Sequence, residues 1–199
     1  MFMQRLVVGL DLAGVEHRPT GFCALTDLDA ATSLVFTDEE ILQKVQEIMP
    51  MAIAIDAPLS LPPGRKSIED RTGGHLRESD KELLRRRIKF FPITLGPMRK
   101  LTQRGIKFRG LLEARRFVVM EAYPGGAQDI LKIPRKQCGI DKLRVGLETL
   151  GIRGLDARMS DHELDAVTCA YVARLFLEGK KVTYGLPDDG IIMPKNETF

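Results

Sequence analysis

Leu6-Val7-Val8-Gly9-Leu10-Asp11-Leu12 is an almost unbroken apolar run that carries one acid and stops at Ala13-Gly14. It reads as a buried strand. An acid near the end of such a strand sits where packing alone would not put it. Working outward, residues 20–25 (TGFCAL) read as a second strand after a polar turn, and residues 33–37 as a short third. Their short connections favour an antiparallel meander. Asp38-Glu39-Glu40 then opens an amphipathic helix with Ile41, Leu42, Val45 and Ile48-Met49 on its apolar side; acids in the first turn suit the helix dipole. Pro50 closes it, and residues 51–55 (MAIAI) form another buried strand ending in Asp56. The intervening helix lets this fourth strand lie parallel to the first.

The 199 residues suffice for one domain with a buried core plus an insertion. An apolar fraction of 44% with 29% charged residues excludes global disorder. No run of apolar residues is long enough for a membrane span, and the N-terminus has no leader pattern. Cys23, Cys138 and Cys169 are scattered, which fits a reducing compartment and neither a disulfide framework nor a zinc site. The expected location is the cytoplasm.

Charge is unevenly spread. Residues 61–120 hold 16 Lys and Arg against 6 Asp and Glu, while the whole chain nets only +3. A basic segment in an otherwise acidic chain suggests a surface facing a polyanion, although a solvated basic helix has the same composition. Residues 61–116 read as an insertion or lid, with a helix over 79–89 started by a Ser79/Glu82 capping box and a second basic stretch at 98–109. They hold too few apolar residues for a core of their own. The sheet resumes at 117–122 (FVVMEA), Gly125-Gly126 precedes a short helix, and residues 160–178 form the strongest helix. A strand or hairpin follows around 182–193.

Acids stand at three strand ends, Asp11, Asp56 and Glu121, and Asp161 and Asp165 lie one turn apart on the last long helix. Their face continues as Cys169, Val172 and Phe176, so two acids crown an apolar stripe. In parallel α/β sheets, functional groups gather beyond the carboxyl ends of the strands. Carboxylates buried together must take up protons or bind cations. Oxygen donors without a Cys or His cluster favour Mg²⁺ or Mn²⁺, and two such ions would suit phosphodiester cleavage.

Each acid also has a structural reading: Asp161 as a first-turn acid, Asp56 as a turn former, Asp11 and Glu121 as partners of insertion arginines. His162 is a candidate proton carrier or ligand. Gly125-Gly126 reads as a plain turn or as phosphate-facing backbone. Arg85-Arg86-Arg87, with Arg99, Lys100 and Arg104, are candidates for holding a nucleic-acid backbone. Phe90-Phe91 reads as core, with no evident base stacking.

The stretches GLDLAG (9–14), AIDAPLSLP (54–62), FFPITLGPMRKLTQRG (90–105), MEAYPGGAQDIL (120–131) and SDHELDAVTCA (160–170) together resemble domain-of-unknown-function family 429, over about residues 5 to 180. The resemblance implies a ribonuclease H-like fold and predicted nuclease activity. More remotely, Asp11 with Thr20-Gly21, an acid ending the fourth strand, and His162-Glu163-Leu164-Asp165-Ala166 are similar to RuvC-type junction resolvases. That likeness implies Asp11, Asp56 and Asp165 as metal ligands, with Asp161 or Glu121 as a fourth. The resolvases carry Glu where this chain has the shorter Asp56. The expectation is therefore one α/β ribonuclease H-like domain over residues 1–199, with a mixed sheet of five strands in the order 3-2-1-4-5, flanking helices and a basic helical insertion. Its expected partner is DNA or RNA. The alternatives are a non-catalytic nucleic-acid-binding module and an ATP-dependent phosphotransferase of related fold, for which the chain lacks a repeat and further phosphate loops.

Overall fold

The computed structural model describes residues 5–196. The residues before them, where the reading of no leader begins, lie outside the described part. Strand β1 (Leu6–Asp11) alternates its side chains between two faces. Val7 enters one core, while Val8 and Leu10 enter another on the opposite side. β2 (Thr20–Thr26) and β3 (Asp29–Val35) complete the antiparallel meander. β3 begins at Asp29 and not at 33, because this edge strand leaves Asp29, Ala31 and Leu34 exposed and so lacks an apolar signature. Asp27, at φ 53°, closes the tight turn before it.

Helix α1 (Asp38–Ile48) is capped by Thr37, whose hydroxyl accepts from the Glu40 N–H at 3.1 Å. Its Ile41 and Val45 pack beneath Val8 and Leu10. β4 (Ala52–Ile55) then runs parallel to β1, and the Asp56 N–H donates to the Leu10 carbonyl at 2.8 Å. Asp11 and Asp56 therefore leave adjacent strands side by side.

The expected lid divides in two. Helix α2 (Glu78–Arg85) lies over the carboxyl end of the sheet, but α3 (Gly96–Glu113) is the crossover that carries the chain to β5 (Val119–Ala122). Phe108 and Leu112 of α3 are fully buried against Ile53 and Ile55, so that half of the segment is core. The start of α2 also differs from the expected Ser79/Glu82 box. The Asp80 side chain accepts from the Arg77 N–H at 2.9 Å, and Ser79 is buried within the first turn.

Beyond β5 come α4 (Pro124–Ile130), a 3-10 turn (Lys136–Cys138), α5 (Ile140–Thr149) and α6 (Asp161–Leu177). Gly125-Gly126 lies inside the first turn of α4, where Gly126 is buried against Met193. The hairpin of β6 (Lys181–Tyr184) and β7 (Ile191–Pro194) pairs with β5 through β7. Among the described residues the sheet thus has seven strands, in the order β3-β2-β1-β4-β5-β7-β6. The expected 3-2-1-4-5 set is its centre, and the hairpin extends one edge.

Helix α6 is buried on nearly all sides, as its apolar composition requires. It lies on the Val7 face of the sheet, and two glycines let it approach. A Cβ at Gly9 would stand 2.0 Å from the Ala166 carbonyl oxygen, and one at Gly21 would stand 2.0 Å from that of His162. Ser160 caps the helix with Glu163 in a reciprocal box. Among the described residues no helix is long and apolar enough to cross a membrane.

Candidate functional site

The period of two along a strand decides which acids meet. Asp11 continues the row of Val7 and Gly9, and Asp56 continues that of Ala52 and Ala54, so both belong to the face under α6. Helix α6 brings His162 and Asp165 to the same place. The His162 ring Nδ1 lies 2.7 Å from Asp11 Oδ2. Asp165 is buried, and its Oδ1 accepts from the Gln128 amide at 2.8 Å. Gln128 also donates to Thr168 at 3.1 Å, which fixes the amide's orientation. Asp161, half-buried at the helix start, is joined to Asp165 by Lys136, whose Nζ is 3.0 Å from Asp161 Oδ2 and 2.9 Å from Asp165 Oδ2.

Glu121 belongs to the other row. It is in register with Ile55, whose side chain faces α1 and α3. Its carboxylate is enclosed by Arg77, which donates at 2.7 and 2.8 Å, and by the Leu59 N–H at 2.8 Å. Arg77 also grips Asp80 at 3.0 Å. This is the pairing with an insertion arginine that the sequence allowed, and it pins the lid to β5. Deleting one member of such a buried pair costs about 3–5 kcal/mol.

The electrostatics single out Asp56. Desolvation first, then repulsion from Asp11 and Asp165, raises its proton affinity well above the ordinary carboxylate range. Asp165 is raised as well, chiefly by burial, with Lys136 opposing the shift. Burial works against the charge of Lys136, but the attraction of Asp165 and Asp161 prevails and holds it protonated. The hydrogen bond to Asp11 raises the His162 imidazole. The cluster is thus short of positive charge, with one ammonium facing several acids.

The residues fit a hard divalent ion by donor chemistry: carboxylate oxygens and one imidazole, with a charge deficit that a cation relieves. They do not form a finished coordination shell, since among the described residues no three acids, histidines or cysteines converge closely enough to hold an ion.

The basic candidates separate. Arg104 is buried, with its three guanidinium nitrogens on Asp38 at 2.9 Å, the Ala13 carbonyl at 2.7 Å and the Phe36 carbonyl at 2.9 Å. It ties the loop after β1 to the start of α1, and this network replaces the expected substrate contact. Arg85 and Arg86 pair with Glu82 at 3.4 and 2.7 Å, and Arg86 also lies 4.6 Å over the Tyr184 ring. Arg99 pairs with Glu69. Arg87 and Lys100 are exposed beside separate clefts, Arg87 next to Phe90-Phe91 and Lys100 next to the loop of Gly14 and His17.

Lys136, Gln128 and Arg77 were not singled out from the sequence. A Lys/Arg-rich connection after α4 was the only signal for Lys136. For Arg77 the only pointer was that Glu121 could pair with an arginine of the insertion, without saying which.

The family model described as "Protein of unknown function (DUF429)" matches residues 9–189. The chain belongs to the DUF429 family. No curated protein matches this DUF429 protein in sequence. Among solved structures, Thermus thermophilus RuvC is similar over 94% of this chain and 99% of its own, with 12% identity and a TM-score of 0.50. T. thermophilus RuvC in complex with a Holliday junction substrate is similar over 95% and 99%, with 14% identity and a TM-score of 0.52. At these identities the likeness shows the fold: the DUF429 protein has the ribonuclease H-like α/β architecture.

Proposed function

We propose that this protein is a metal-dependent nuclease that hydrolyses nucleic-acid phosphodiesters at the Asp11–Asp56–Asp165 cluster. The observation that supports the reading is that β1, β4 and α6 bring Asp11 with His162, Asp56 and Asp165 within electrostatic reach at one end of the sheet, with Lys136 as the ammonium on Asp165. A fold whose centre is shared with a protein solved on branched DNA makes nucleic acid the first polymer to test.

Asp11, Asp56 and Asp165 are the residues that would hold Mg²⁺ or Mn²⁺, with Asp161 on the margin, and they would have to draw closer together than they stand here to do so. When bound, such ions lower the pKa of water and stabilise charge on the leaving oxygen. The chain's own residues do the rest. Gln128 and Thr168 keep the Asp165 carboxylate oriented. His162, hydrogen-bonded to Asp11, is placed to carry a proton to or from a group at the strand ends. Glu121 acts through Arg77, positioning the lid over the site.

The binding-module reading is favoured by one observation, that Lys136 already bridges Asp161 and Asp165 and supplies part of the positive charge an ion would bring. Incubation of labelled single-stranded, duplex and branched DNA and RNA with Mn²⁺ separates the two. Cleavage by the unmodified protein that Asp165→Asn reduces at least a hundredfold supports the nuclease. Salt-sensitive binding without cleavage, unchanged when metal is removed, supports the module.

A further inference from the structure

Phe91 is 76% exposed on the lid, an unusual setting for a phenylalanine next to a candidate active site. With Phe90 and Tyr123 it lines two adjoining cavities. The smaller, about 190 Å³, contains Asp56 in its wall. The larger, about 970 Å³, runs from the same aromatics to Arg135 and Cys138, either side of Lys136. Aromatic surface therefore continues from the cavity that Asp56 lines into a cleft of ligand-binding size.

The charge of the larger cleft chooses its occupant. Arg87, Lys89 and Arg135 line it against a single acid, Asp129. Arg135 pairs with Asp129, donates to the Tyr123 hydroxyl at 3.2 Å and lies 5.7 Å over the Tyr123 ring. Tyr123 in turn donates to the Lys89 carbonyl, so its ring is held at the cleft wall. Arg87 and Lys89 are exposed. Flat apolar rings beside cations that exceed the acids match a nucleotide, with its aromatic base and its phosphate.

We infer that the Phe91–Tyr123 cleft takes an unpaired base, and that the substrate carries an unpaired nucleotide next to the bond presented at Asp56. The inference rests on the nuclease reading for the position of the bond, but not for binding in the cleft. A base within an uninterrupted duplex is stacked and cannot enter, so strands, loops and branch points are bound in preference to blunt duplex.

The test is a binding titration of the full-length protein in EDTA, using a short single strand carrying 2-aminopurine and the same sequence as a blunt duplex. The single strand is expected to bind roughly tenfold more tightly, with its fluorescence quenched on stacking. Phe91→Ala should lower single-strand affinity roughly tenfold and leave duplex binding unchanged, while Phe91→Trp restores it. Arg87→Ala should weaken both alike. Cys138 is the exposed thiol, Cys23 and Cys169 being buried, so the single strand should also slow its alkylation by maleimide. Equal affinity for strand and duplex, undiminished strand binding by Phe91→Ala, or a dimer that Phe91→Ala dissociates would each overturn the inference. Because binding is read without metal, absence of cleavage bears on the nuclease alone.

Discussion

Asp56 holds a proton more tightly than an ordinary aspartate because the fold partly desolvates it beside Asp11 and Asp165. For an acid whose folded pKa is raised, the native state binds more protons than the unfolded chain. Metal-free stability therefore falls as pH rises from the ordinary Asp value of about 4 towards the raised one. Asp56→Asn should remove this penalty, raising the metal-free melting temperature at neutral pH by about 2–4 °C per kcal/mol relieved while abolishing cleavage. Equal melting of the two proteins would contradict it. His162 runs the other way. Its folded pKa is raised by Asp11, so the pair's contribution is complete below about pH 6.5 and is lost as pH climbs through the raised value. Imidazole proton NMR should find that titration above the ordinary histidine range, returning towards it in Asp11→Asn. Lys136→Met removes the ammonium between Asp161 and Asp165. The variant should melt lower than the parent in EDTA and recover with Mn²⁺, by about 2.7 kcal/mol when the ion is at a hundred times its Kd. Melting that Mn²⁺ leaves unmoved would count against the ion competing for Lys136's place.

At the level of elements, the site depends on how closely α6 lies on β1 and β2. Gly9→Ala would drive a methyl into the Ala166 carbonyl, lifting the helix that carries His162 and Asp165. The expected cost is at least about 3 kcal/mol, read by chemical denaturation; a loss under about 1 kcal/mol would mean that α6 adjusts freely. Much of this was legible. The run around Asp11, the MAIAI strand before Asp56 and the stripe of Asp165, Cys169 and Val172 all carried their periods openly, and the acids followed. Glu121 looked equivalent to Asp56 because both end strands; only the register of β4 with β5 puts it on the opposite row, where Arg77 meets it. Lys136 was hidden for a different reason. It comes from a 3-10 turn with no periodic pattern, and its contact with α6 joins residues far apart in sequence. Helix α3 resembles a lid in sequence because its charges obscure Phe108 and Leu112, which are buried under the sheet.

Over the whole molecule, positive charge concentrates in residues 61–120, and part of it is internal. Arg77 fastens the lid to β5, and Arg104 fastens the crossover to α1 and the loop after β1, so the exposed basic surface is smaller than composition suggested. It still borders the carboxylate end through Arg87 and Lys89. The core strand order was legible because short connections and a single helix leave few topologies for the first four strands. The hairpin's place was not, since nothing in residues 181–194 says which edge it joins. A divalent ion is expected at the charge-deficient cluster where these strands end. Isothermal titration of Mn²⁺ into the unmodified protein and Asp11→Asn, with and without a bound oligonucleotide, tests it most directly. Binding to the unmodified protein and its loss in the variant are expected. No binding to either protein, even with nucleic acid present, would contradict it.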